Sequence, residues 1–406
     1  MSTLDADNLD MARSPALPLD GLTVVELGHH VAGPFCAKLL AMQGARVIKI
    51  ERPGLGDPAR RLGPFPCDVP DLERSGLFLY LNGGKESVTL NLKSDTGRQL
   101  ARNIIRHAGV VVENFRPRVL PTLGLGADTL RAEQPDLVVT SISSFGATGP
   151  YADYRGDELG SMAMGGMAHL LGGAQTPPLK LAGNAGQYLA GTFALAGTLG
   201  AVFGSRLGRG GRHVTVAISD AIAAALPQAL VEYAYTGNVG GRRPRNAGLY
   251  RARDGHASMS YQQPQWPRLP AALGRPELLD DDRFATTEAR LAHQAELAEI
   301  IGAWIAEREK AAVYHALQAA HFPGGARFSV TDLYESPQYA ARGFFVEIEH
   351  PRAGTLRYPG APWLIDGRTW RHARAPLLGE HTAAVLEEMC GVARSDLPVL
   401  AANGAI

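Results

Sequence analysis

Residues 19–58 read LDGLTVVELGHHVAGPFCAKLLAMQGARVIKIERPGLGDP, and their pattern decides the fold. Leu22 to Leu27 is an apolar run of strand length that breaks at Gly28 and Gly33-Pro34. From Phe35 to Met42 the apolar residues recur at helical spacing, and Gly44 stops the helix. Val47 to Ile50 reads as a second strand before the turn-rich ERPGLGDP. The stretch is a βαβ unit. A ligand with phosphates fits where such a first strand feeds the helix, because backbone N–H groups and the positive end of the helix dipole point there. The residues at that mouth are Gly28, His29, His30, Val31, Ala32 and Gly33.

Outward from this unit, strands and helices keep alternating. Val110 to Val112 and Leu137 to Ser141 read as strands, each after a helical pattern, and Val214 to Ile218 is another. Phe78 to Leu81 and Ser87 to Asn91 flank the turn Asn82-Gly83-Gly84-Lys85, and Asp157 to Leu171 and Gly191 to Leu207 read as small-residue helices that pack closely. The alternation predicts an α/β fold with a mostly parallel sheet covered on both faces. Beyond residue 220 the character changes: a helix over 221–235, a basic glycine-rich connector, a hairpin around Asp254-Gly255, then helices. The expected organisation is a loose tail over 1–18, a large domain over 19–220, a linker over 221–245, a small domain over 246–330 and a return to the large domain over 331–406.

Composition limits the partners. Of 406 residues, 40 are Lys or Arg and 40 are Asp or Glu, so no excess charge points to nucleic acid or a membrane surface. No apolar run reads as long enough to span a membrane. The three cysteines, Cys36, Cys67 and Cys390, have no metal-ligand spacing, and a reduced, cytoplasmic setting is expected. No metal site and no permanently bound cofactor is expected.

The motifs Leu19-Asp20-Gly21, Ala32-Gly33-Pro34 and Gly44-Ala45-Arg46-Val47-Ile48-Lys49-Ile50-Glu51 closely resemble the opening of the family III CoA-transferases. That group includes formyl-CoA transferase, carnitine CoA-transferase and the alpha-methylacyl-CoA racemases. Glu113-Asn114-Phe115-Arg116-Pro117 resembles the family's ENFRPG signature, and later elements follow in family order, so the likeness covers roughly residues 19 to 392. It implies a Rossmann-like large domain, a smaller α/β domain and an interlocked dimer in which each chain threads the other. It implies a CoA thioester as substrate, with His30, Val31 and Ala32 along the pantetheine path, Arg52 near the nucleotide, and Asn114 with Phe115 beside the adenine and phosphates. Lys85, Arg116 and Arg118 offer further cations for phosphate; Arg116 and Arg118 also read as solvated surface charges.

The resemblance implies an aspartate that attacks the acyl-CoA, splitting one hard step into two through a mixed anhydride and an enzyme thioester. The matching segment is Gly186-Gln187-Tyr188-Leu189-Ala190-Gly191, which puts Gln187 on the nucleophile position. An amide cannot form the anhydride. The racemase histidine matches Asp157, and that branch's glutamate matches Gln263, so two-base proton exchange lacks its groups. Asp157 and Glu158 remain as candidate base or nucleophile, or as helix-start carboxylates that interact with the dipole. The expected function is CoA transfer from an acyl-CoA, succinyl-CoA by resemblance to the benzylsuccinate CoA-transferases, to a carboxylic acid. In that reading the chain is the subunit without a nucleophile, in a heteromer with a homologous Asp-bearing partner. The alternatives are an acyl-CoA racemase, isomerase or lyase using Asp157 or Glu158, and a non-catalytic acyl-CoA-binding protein.

Overall fold

The computed structural model describes residues 17–172, 177–239, 248–259, 263–366 and 370–406. Its chain divides into two compact units, Met1–Arg242 with Gly343–Ile406, and Arg243–Arg342. The second contains the 246–330 segment and extends through two short helices beyond it.

Six parallel strands organise the larger unit: β1 (Thr23–Glu26), β2 (Arg46–Glu51), β3 (Lys85–Thr89), β4 (Val110–Glu113), β5 (Val138–Ser143) and β6 (His213–Ala217), in the order β3-β2-β1-β4-β5-β6. Alternate residues serve opposite faces, as strand geometry requires. Val24, Val47 and Val110 pack under helix α1 (Ala32–Met42), whereas Val25, Ile48 and Val111 pack with helix α3 (Asp95–Ile105) and the helix Thr382–Cys390. Between these in the chain lies the short helix α2 (Gly76–Leu81). Phe78 to Leu81 is therefore helical and not a strand flanking the turn, because Ser75 accepts the Phe78 N–H and caps a helix there.

The small-residue segments also resolve differently from their pattern. The helical run expected over 157–171 breaks after α4 (Glu158–Met164), at Gly165 and at Gly166, whose φ is 81°. The run 221–235 is split by Pro227 into Ile218–Ala224 and Pro227–Thr236. Helix α5 (Ala185–Gly204) begins earlier than expected. Together with the turn up to Arg209 it is long and apolar enough to cross a membrane by length and composition, which corrects the reading that no segment reaches that length. It packs on α1, β5 and β6, with Thr140 and Thr198 hydroxyls 2.6 Å apart. A Cβ on its Gly191 would stand 2.8 Å from the Ala32 carbonyl oxygen, so the glycine lets α5 close on the start of α1.

The smaller unit holds an antiparallel sheet of β7 (Gly248–Ala252), β8 (Gly255–Met259) and β9 (Gly324–Ala326). Helices Gln294–Ala306 and Lys310–Ala319 cover it around Ile301, Ile305 and Val313. In the larger unit, β10 (Phe345–His350) and β11 (Gly354–Pro359) form a hairpin.

Candidate functional site

Strand β1 lies between β2 and β4, so the chain changes direction across the sheet at β1 and β4, and ligands favour the crevice outside the strand ends at such a point. A cleft of about 410 Å3 opens there. Leu27, Ile50 and Leu90 supply apolar surface, and His29, Arg52, Lys93 and Phe115 line it with charge and aromatic edges. Arg52 and Lys93 are exposed, and among the described residues neither side chain has an ion-pair partner. Lys93 did not stand out in the sequence; its place shortly after a strand, four residues past the end of β3, is the signal that points to it.

The loops after β1 and β4 are joined by Asn114. Its Oδ1 accepts the His29 N–H at 2.7 Å and its Nδ2 donates to the His29 carbonyl at 2.7 Å. Gly28 and Gly33 make room for that carboxamide, since a Cβ on either would stand 3.2 to 3.4 Å from its atoms. His30, at φ 61°, donates its N–H to Asp57 at 3.0 Å. The amides of His29 and His30, expected to face a phosphate, are thus taken by side chains, while Val31 and Ala32 are buried at the start of α1. The donors left open in the cleft are the cations that line it and not these two amides. His29 packs edge-on against Phe115 with centroids 5.0 Å apart. Burial pushes its pKa down to about 4, against the pull of Asp57. Glu113 accepts the Phe115 N–H at 2.8 Å, and burial raises its carboxyl to about 7 despite the Ser141 hydroxyl.

Beneath the cleft runs a buried ionic web. Glu26 in β1 holds Lys49 at 2.7 Å and Lys85 at 2.6 Å. Lys49 also meets Asp57 at 2.8 Å and the Gly28 carbonyl at 2.8 Å. Lys85 donates further to the Pro34 carbonyl and to Asn82. Glu51 clasps Arg60 through two bonds, at 2.8 and 2.9 Å, and accepts the Ser87 hydroxyl at 2.7 Å. Burial alone would lift the Asp57 carboxyl, but Lys49 and His29 hold it near 2. Burial lowers Lys85 to about 8 in spite of Glu26. Lys85, expected to offer a cation to phosphate, has its ammonium enclosed by acceptors of its own chain and does not line the cleft. Arg116 is exposed beside a separate hollow of about 220 Å3, and Arg118 pairs with Asp153 at 2.5 Å.

Gln187 stands in the first turn of α5. The Glu158 carboxylate, 7% exposed, accepts the N–H of Gly186 at 2.8 Å and of Gln187 at 3.2 Å. It satisfies two of the donors that a helix start leaves open. Asp157 accepts the Gly160 N–H at 2.7 Å and caps α4. Of the two candidate acids, each is engaged with a helix start, and Glu158 is the one beside Gln187. The neighbouring Tyr188 packs edge-on against Phe35 and Tyr80, with centroids 4.8 and 6.3 Å apart. The side chain of Gln263 lies outside the described residues. Among the described residues no group of three His, Cys, Asp or Glu side chains is placed to hold a metal ion.

Comparison with known proteins returns CoA-transferase family III over residues 19–382. The succinyl-CoA–D-citramalate CoA-transferase of Chloroflexus aurantiacus is 33% identical, over 97% of this chain and 100% of that protein. The succinate–glutarate CoA-transferase of Agrobacterium fabrum is 32% identical, over 94% of this chain and 98% of its own. Among solved structures, a CAIB/BAIF family protein from Brucella suis superposes with a TM-score of 0.83 at 30% identity, covering 92% of this chain and 100% of that one.

Proposed function

This chain belongs to CoA-transferase family III, and from that premise we propose that it moves CoA from an acyl-CoA to a carboxylic acid as the nucleophile-free subunit of a heteromer. Succinyl-CoA is the donor that one relative's name favours, and a second relative's name contains succinate. Arg52 and Lys93 face the nucleotide's phosphates and Phe115 offers its ring to the adenine. The homologous partner supplies the aspartate that attacks the thioester carbon and releases the CoA thiolate; the thiolate attacks the aspartyl carbonyl of the mixed anhydride and expels the donor acid, leaving an enzyme thioester. The acceptor carboxylate attacks that thioester and releases the thiolate again, which takes the acceptor's carbonyl from the second anhydride and frees the aspartate. A cytoplasmic setting goes with this reading.

Gln187 carries the proposal. It occupies the helix start where the family resemblance places the attacking carboxylate, with Glu158 on its backbone N–H and Tyr188 packed on Phe35 beside it. Apolar side chains left exposed in the larger unit, Phe193 and Phe203 on α5 with Leu230 and Val231 on the helix Pro227–Thr236, suit chains that interlock over a large apolar surface. Isolation from the native cell, followed by assays of each chain and of the complex, tests the reading. The complex transfers CoA, hydroxylamine trapping labels an aspartate of the partner, and this chain alone is inactive and unlabelled. Robust transfer by this chain alone overturns it.

One observation supports a second reading, that the chain is a self-sufficient acyl-CoA enzyme. Glu158 keeps a carboxylate 3.2 Å from the Gln187 amide nitrogen. For that reading the lone chain turns over acyl-CoA, or exchanges its alpha proton in deuterated water, and Glu158→Gln stops it. Acyl-CoA binding with neither activity in any assembly leaves the third, a binding protein.

A further inference from the structure

A second hollow in the larger unit differs from the cleft in size and in charge. It is a cavity of about 20 Å3 among α1, α2, β10, β11 and residues 371–375, large enough for one water-sized particle. Lys38, His350, His372, Arg371 and Arg374 line it, and no carboxylate does. Arg371 turns to Asp20 at 3.4 Å and Arg374 pairs with Glu380, so both have acids elsewhere.

Lys38 has none among the described residues. It is 7% exposed, donates to the Tyr80 carbonyl at 2.8 Å and stands 3.5 Å over the Tyr80 ring centroid. An ammonium carries three donors, and this one has a single acceptor from the described residues. His350, 3% exposed, is under-satisfied too. Its Nδ1 accepts the N–H groups of Arg352 and Ala353, each at 3.3 Å, which puts the ring proton on Nε2. That buried Nε2 has no hydrogen-bond partner of normal geometry, and the Ala375 carbonyl acts on the ring only weakly.

A buried ammonium without a counter-charge is costly, and a buried N–H without an acceptor adds to it. Both groups line one space that holds no acid. We propose that this cavity is an anion site, taking one small inorganic anion of the halide class between Lys38 and His350. Its water-sized interior matches a monatomic anion. Burial, with Lys85 adding repulsion, pushes Lys38 down to about 7, and a halide beside it keeps the amine charged. The site is separate from the CoA cleft and does not depend on the functional reading above.

The test is thermal unfolding of the full chain at constant ionic strength in sodium chloride, sodium bromide or sodium gluconate, whose anion is too large to enter. Chloride and bromide give a saturable rise of about 2 to 4 °C over gluconate. Lys38→Met, an apolar side chain of similar length, folds and loses that difference. Wild-type crystals soaked in bromide show an anomalous peak in the cavity, a readout that needs no variant. Equal melting in all three salts, a halide effect that survives Lys38→Met, or a cavity that scatters as water alone overturns the proposal.

Discussion

The cleft and the ionic web beneath it are built from the same residue types, a few positions apart, and burial gives them opposite roles. Arg52 follows Glu51 directly, yet Arg52 stands exposed in the cleft while Glu51 is buried on Arg60. Lys85 and Lys93 bracket β3, and the first is enclosed by Glu26 while the second faces the cleft. The motif that carries the family resemblance most clearly, Val47-Ile48-Lys49-Ile50-Glu51, is therefore mostly structure. Its charges hold the strands and loops that shape the cleft, and the weaker-looking residues beside it line the cleft.

The largest expected effect lies in the web. Lys85→Met leaves Glu26 short of one partner inside the sheet, and breaking such a buried pair costs about 3 to 5 kcal/mol. Urea unfolding shows it as a lower midpoint with an unchanged slope. A midpoint near wild type, with weaker CoA binding instead, would return Lys85 to the cleft and erase the distinction.

A second, smaller effect comes from two buried groups that titrate in opposite senses, His29 at the cleft and Glu113 at the separate hollow. The folded pKa of His29 is depressed from 6.5 to about 4, so its contribution to stability is present above pH 6.5 and lost as pH falls through 4. That of Glu113 is raised from 4.5 to about 7, so its contribution is present below pH 4.5 and lost as pH rises through 7. Between pH 4.5 and 6.5 the two contributions oppose and offset each other. His29→Gln makes stability rise toward acid, Glu113→Gln makes it fall, each by up to about 3 kcal/mol. Urea midpoints at pH 4.5, 5.5 and 6.5 read the slopes, and parallel curves for both variants break the account.

The parallel sheet was legible because glycines and prolines cut the chain into strand-length and helix-length pieces, and Gly28, Gly44 and Gly84 fall at those cuts. The site was legible in parts. His29, Arg52, Asn114 and Phe115 meet at the cleft because they follow β1, β2 and β4, and strand ends converge whatever the loops contain. The burial of Lys85 was not legible, because a lysine after a turn looks solvent-exposed, and only the glutamate buried in β1, 59 positions earlier, shows where its charge goes. A strand buried on both faces is normally apolar throughout, so Glu26 itself was the signal of a hidden cation. The Glu158 contact with Gly186 and Gln187 spans 28 and 29 positions and depends on the approach of two helix starts, which no local pattern encodes. Lys38 sits at a position that helical spacing marks as half-buried, and the hairpin that closes over it comes more than 300 residues later.

The smallest effects test the cleft side of the comparison. Arg52 presents a planar fork of donors that matches a phosphate, and its removal takes away charge-assisted hydrogen bonds, so Arg52→Ala weakens CoA binding by about 1 to 3 kcal/mol. Lys93 offers a flexible point charge at the exposed rim, where water competes and salt screens, so Lys93→Ala costs about 0.2 to 1 kcal/mol. Neither side chain has an ion-pair partner among the described residues, and neither variant shifts the urea midpoint. Titration calorimetry with CoA at 0.05 and 0.2 M salt separates them further, because the Lys93 loss shrinks at the higher salt more than the Arg52 loss does. Dephospho-CoA, lacking the 3′-phosphate, then shows which cation meets that group: the variant whose loss disappears with this ligand had supplied its partner. A loss from Lys93→Ala larger than that from Arg52→Ala, or a fall in the unfolding midpoint of either, would mean that exposure in the cleft is no guide to which cations hold the nucleotide.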